Sequence, residues 1–199
     1  MAKKEKTVNP VLHSLYLSLL EILGEDKARE LFNRQEVDPE KLFKAEAATR
    51  PAVIFEKAGT ALIEDFGEMA AQGLFIRAGR ASLTFIRRFL PEMEELGSLE
   101  NRLKSIEKRF FHSLLALAGL WSRETGLEAK VEMIDRLEFR WMMAFPPGKG
   151  SGILTPYFIF GLLEEFCTWL DARKSYRIVY SAPDEGHEAE ISIAIHSQE

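Results

Sequence analysis

The chain has 199 residues, 46% of them hydrophobic, and a formal net charge of -5. This suits one domain, residues 1–199, that buries roughly 70% of its unfolded surface without disulfides or metals. The acidic balance disfavours nucleic acid as a partner, because phosphate binding needs a clustered positive field. A single cysteine, Cys167, excludes an internal disulfide and fits a reducing cytoplasm.

The basic start, Met1 to Lys6, followed by the apolar run Val11 to Leu23, superficially suggests an export signal. His13 and Glu21 interrupt the run, and Gly24-Glu25-Asp26-Lys27 offers no small-residue cleavage site. Asn9-Pro10 reads instead as a helix cap with proline at the first helical position. The expectation is a helix ended by Gly24, a shorter one over about 25–35, and a third element starting at Asp38-Pro39. Residues 51–90 read as one long or two consecutive helices containing Gly59, Gly67, Gly73 and Gly79. Each interior glycine costs up to about 1 kcal/mol against alanine, so either another backbone comes close or the element breaks near Gly67 to Gly73. Pro91 ends the run, and Ser98-Leu99-Glu100 starts a last helix that turns Leu103, Ile106, Phe110, Leu114, Leu117 and Trp121 inward before Gly126 closes it.

Residues 127–199 change character. Apolar Val131, Met133, Leu137, Phe139, Trp141, Met143 and Phe145 alternate with Glu132, Arg136, Glu138 and Arg140, the period-two pattern of half-buried strands. Asp135-Arg136 splits the stretch into two. The segment Pro146 to Gly152 reads as a loop. Thr155-Pro156 opens the next helix, with Thr155 expected as its N-cap and an end near Arg173. Its apolar residues fill an arc of roughly 200°, against roughly 100° on an ordinary surface helix. Only Tyr157, Gly161, Glu164, Thr168 and Asp171 are left for a solvated side, so beyond the sheet this helix must touch another helix, a bound apolar molecule or a second subunit. A closing hairpin pairs 176–180 with 189–195 across Ala182 to Gly186. The fold class is α+β: an antiparallel sheet of about four strands packed against helices, with a mainly helical part over 1–126. No stretch reaches the roughly 20 apolar residues of a membrane span, so a soluble, cytoplasmic protein is expected.

This order of elements resembles the 4-vinyl-reductase-type domain family of hydrocarbon-binding proteins, whose fold is similar to that of the vesicle-tethering TRAPP subunits. The resemblance is carried by Leu19-Leu20-Glu21-Ile22-Leu23-Gly24, Arg77-Ala78-Gly79-Arg80, Asp135-Arg136-Leu137, Phe160-Gly161-Leu162-Leu163 and Gly186. It implies a small-molecule module for an apolar or amphipathic ligand, without catalytic activity. A second reading is an interaction or scaffold subunit forming a homodimer or partner complex. A third is an enzyme or accessory of tetrapyrrole-related biosynthesis. The cysteines many members carry in the loop and beside the hairpin glycine are missing here, which puts their metal, cluster or thiol roles in doubt.

For ligand contacts the residues to watch are Phe139, Trp141, Met143, Phe158, Leu162, Phe166 and Trp169, as an apolar wall, with Arg77 and Arg80 orienting an acidic end. Two plainer readings stand beside these. The aromatics fill the core, and the arginines of 77–88 pair on the surface with Glu64, Asp65, Glu68, Glu92, Glu94 or Glu95. Cys167 reads as a buried structural thiol. His13, His112, His187 and His196 have no neighbour at metal-ligand spacing, so neither a metal nor a cofactor is expected. Gly148 to Gly152 only imitates a phosphate loop, Ser151 and Ser181 lack a glycine elbow, and Glu164 and Glu165 read as solvated. No catalytic set emerges.

Overall fold

The computed structural model describes residues 9–34, 51–143, 154–181 and 189–196. The expected element at Asp38-Pro39, the loop over 146–152 and the hairpin turn over 182–186 lie outside them. Eight helices and four strands are present among the described residues: α1 Pro10–Leu23, α2 Glu25–Arg34, α3 Pro51–Phe66, α4 Glu68–Phe89, α5 Glu92–Leu96, α6 Leu99–Leu103, α7 Ile106–Thr125, β1 Ala129–Asp135, β2 Glu138–Met143, α8 Thr155–Leu170, β3 Ser175–Ser181 and β4 Ala189–His196. The α+β expectation, with helices in the N-terminal half, is what the structure has. No described helix is long and apolar enough to cross a membrane.

The start of α1 is fixed by Asn9, whose side-chain oxygen accepts from the amides of Val11 and Leu12, with Pro10 at the first position. The same side chain donates to the Glu124 carbonyl at the end of α7, which ties the two helices together. Losing a cap costs about 1 kcal/mol, so Asn9→Ala is expected to lower the denaturation midpoint slightly while leaving the slope of a urea titration unchanged.

Gly67, at φ 79°, separates α3 from α4, and α4 then runs unbroken through Gly73 and Gly79. Leu99–Thr125 is two helices rather than one. Ser98 caps the short α6, and extended backbone at Lys104 and Ser105 precedes α7. Gly126, left-handed at φ 73°, closes α7 as its position suggested. Thr155 is the first residue of α8 rather than its N-cap; Leu154 takes the cap position without a side-chain bond, and the helix stops at Leu170.

The sheet is antiparallel in the order β1-β2-β4-β3. Its register places Val131 opposite Trp141 and Trp141 opposite Ile191, and it pairs Phe139 with Ile193 and Ile193 with Ile178. One face is thereby buried, with α7 packed along β1 and α8 along β3. The alternation in β1 fails after Val131. A register shift lies between Met133 and Asp135, and both Met133 and Ile134 are about half exposed.

The wide apolar arc of α8 is covered by the sheet on one side and by α4 on the other, the most extensive helix contact in the fold. The two helices run in the same sense: Ile76 meets Gly161, Arg80 meets Glu164 and Arg87 meets Trp169. Gly79 lies against the backbone of Phe158 and Leu162, and Gly161 against that of Ile76. Gly161 and Asp171, expected on a solvated side, are both buried.

Candidate functional site

The interior is built around aromatic rings. Phe55 of α3 meets Trp121 of α7 edge-on at 5.4 Å and Phe158 of α8 at 5.0 Å, and Phe158 meets Phe75 of α4 at 6.3 Å. Four elements thus converge on one cluster with every member buried. The indole N–H groups of Trp121 and Trp141 are buried with no acceptor among the described residues, where an unmet donor costs about 1–3 kcal/mol.

Described residues line at least two cavities. One, of about 230 Å³, lies along α3 and is lined by Phe55, Glu56, Gly59, Thr60, Ile63, Glu64 and Leu154. The helix period explains its two-sided character: Phe55, Gly59 and Ile63 follow at every fourth residue as an apolar stripe, and Glu56, Thr60 and Glu64 run beside them as a polar one. Gly59 carries no side chain, so Leu154 packs directly on α3; a Cβ there would sit 3.3 Å from that of Leu154. The second cavity, of about 340 Å³, is on the face of the sheet away from the helices and is lined by Ile134, Glu138, Phe139, Arg140, Arg177, Val179, Ser192, Ile193 and Ala194. Small residues on central β4 make its floor, while Ile134 and Val179 flank it.

The residues singled out from sequence are not gathered at either cavity. Phe139 lines the second; Trp141, Met143, Phe158, Leu162 and Phe166 are buried in the core, and Trp169 is half-buried. Arg80 donates through Nε and Nη2 to one oxygen of Glu164, at 2.8 and 2.6 Å, so its partner comes from α8 rather than from acids near it in sequence. Arg77 is exposed on the same side of α4. Arg87 lies over the Trp169 ring at 4.6 Å.

Sequence reasoning missed a buried ion pair. Arg109 of α7 donates to Asp171 at 2.6 Å, with both side chains at most 7% exposed. The backbone N–H and Nε of Arg173 also donate to Asp171, and the Tyr176 hydroxyl donates to its carbonyl. Burial alone would raise the Asp171 carboxyl, but hydrogen bonds from Arg173 and Arg109 outweigh it and hold the group at about 2. A signal existed: Arg109 sits four residues before buried Ser113 and next to Phe110, on the inward stripe of α7. Burial also pushes the Cys167 thiol well up and the His13 imidazole down.

No protein-family model matches this sequence, and no curated protein does either. The fold, however, has close counterparts: it is the fold of H-NOX domains. An oxygen-binding H-NOX domain related to soluble guanylate cyclases, in its oxygen complex, superimposes with a TM-score of 0.62 at 12% identity over 95% of each chain. A point variant of the T. tengcongensis H-NOX gives 0.63 at 10% identity over 95% of this chain and 97% of that one. A structure from work on heme distortion in the H-NOX family gives 0.64 at 10% over 94% of each.

This overturns the resemblance to 4-vinyl-reductase-type and TRAPP-like proteins, and with it the hydrocarbon-binding label. The physical reason lies in the motifs that carried it. Leu19 to Gly24 is a helix end, Asp135 to Leu137 a strand turn, and Gly79 and Gly161 mark a helix contact. Such features recur wherever helices pack on an antiparallel sheet, so they locate elements without choosing among folds.

Proposed function

We propose that this chain is a small-molecule-binding module of the sensor type, non-catalytic, whose ligand is apolar or amphipathic and occupies the α3 cavity. The supporting observation is the end-to-end likeness to domains described as binding oxygen and as holding heme. The cavity gives the reading a location: Phe55, Ile63 and Leu154 would hold an apolar body, and Thr60, Glu56 and Glu64 would face its polar end. Carboxylates at that rim favour a hydroxyl or ammonium over an acid. Arg77 and Arg80 lie elsewhere on α4 and take no part in it.

Heme itself is a poor fit to the described residues. An iron ligand of the usual kind is a neutral imidazole facing the macrocycle. His13 is instead stacked on the Phe89 ring at 4.5 Å, and His112 and His196 are exposed. The Cys167 thiol is held protonated by burial. Neither described cavity is lined by histidine or cysteine, and the centre is taken by the protein's own rings.

The test is thermal unfolding with long-chain alcohols, alkylamines, fatty acids and a tetrapyrrole, alongside native mass spectrometry of freshly purified protein. A ligand at 100 times its dissociation constant stabilises by about 2.7 kcal/mol, expected as a rise of about 5–10 °C for a domain of this size. Ile63→Arg should remove the shift. A bare mass with no shift from any compound, or an undiminished shift in the Ile63→Arg protein, would refute the proposal.

A further inference from the structure

We infer that the outward face of α4 is a docking surface for an acidic segment of a partner protein. Arg77, Arg80, Arg87 and Arg88 fall within an arc of about 100° at the helical period and along about 16 Å of helix. All four are exposed. No acidic residue occurs in α4 after Glu68, and the next acid in the chain is Glu92. Among the described residues Glu164 is the one acid that forms an ion pair with the stripe, and it binds Arg80. Among the described residues Arg77 and Arg88 have no ion-pair partner. In a chain of net charge -5 this leaves a local excess of about three positive charges, which surface pairing does not explain.

The stripe is also ordered before any partner arrives. Arg80 is clamped by Glu164 through two N–H groups, and Arg87 lies over the Trp169 ring at 4.6 Å. Fixing long side chains in advance lowers the entropy lost on binding. Planar guanidinium groups spaced by helical turns suit carboxylates spaced the same way, as on an acidic helix. A bilayer fits less well. Membrane-bound helices interleave apolar anchors with basic residues, whereas between Arg77 and Arg88 the exposed residues of this face are Arg80, Thr84 and Arg87.

The experiment measures binding of a synthetic acidic helical peptide, with glutamates at i, i+3, i+4, i+7 and i+8, by calorimetry and tryptophan fluorescence. Trp121 and Trp141 are fully buried, so Trp169 reports on this surface. Double reversal, Arg77→Glu with Arg88→Glu, touches exposed groups without ion pairs, and an unchanged melting temperature verifies that it folds. Affinity is expected to fall at least about tenfold, with Lys130→Glu on the sheet leaving it unchanged. Equal binding by the double-reversal protein would overturn the inference. So would the absence of peptide binding, or binding only to phosphatidylserine-containing vesicles or inorganic phosphate.

Discussion

Gly161→Ala is expected to destabilise the protein by about 3 kcal/mol or more, lowering the melting temperature by about 6–12 °C. The added Cβ would fall far inside contact with the Ile76 carbonyl oxygen, 2.8 Å from its carbon and 3.0 Å from its Cα. These are backbone atoms, so relief requires α4 and α8 to separate, and the core between them opens. Alanine gains at most about 1 kcal/mol in helix propensity, so steric cost decides the sign. Gly79→Ala should behave alike, because its Cβ would press on the Phe158 carbonyl and sit 2.8 Å from Leu162 N. Gly73 supplies the contrast: it lies in α4 with nothing within 4 Å of the added atom. Gly73→Ala should be neutral or stabilising. Equal melting temperatures for the Gly73 and Gly161 variants would contradict the packing described.

The second large effect is at the Arg109–Asp171 pair. Arg109→Met strands a buried carboxylate and should cost about 3–5 kcal/mol, read by chemical denaturation; replacing both, Arg109→Met with Asp171→Leu, should recover much of the loss. Acid titration probes the same contact. The folded Asp171 is held at about 2, below the roughly 3.9 of an unfolded aspartate. Its contribution, about 2–3 kcal/mol, is therefore complete above pH of about 4 and disappears as pH falls towards 2. The Arg109→Met protein should lose less stability across that window. An acid profile parallel to that of the unaltered protein would mean the pair does not act as described.

Local structure was legible where one residue type has one physical use. Asn9-Pro10, Gly24 and Gly126 mark helix ends because few residues cap or take positive φ there, and alternation around Trp141 marks strands because a pleat has period two; Gly67 was one of four glycines in residues 51–90, and only its positive φ singles it out as the break. Pairwise geometry was not legible. That α8 is covered by α4 follows from Gly79 meeting Phe158 and Gly161 meeting Ile76, residues about 80 apart in sequence. Gly161 read as solvated because a glycine on a helix looks the same whether it faces water or another backbone. Arg109 and Asp171 look like surface charges until the fold brings them together. The α3 cavity depends on Leu154 reaching Gly59, which no local pattern announces. The anion reading of Arg77 and Arg80 came from charge and spacing, and the structure keeps both on an outward face, away from the cavities.

The sheet order carries a consequence for biosynthesis. β4, made last of the four strands, lies between β2 and β3, so a nascent polypeptide on the ribosome holds two detached pieces until residues 189–196 emerge. The β1–β2 hairpin is marginal alone, and β3 has no partner at all. All eight described helices are complete before β4 is made, yet the apolar side of α8 must wait beside an unfinished β layer. Maturation of this domain is thus gated by its final strand, and the interval before that strand arrives is when chaperones have the most to shield.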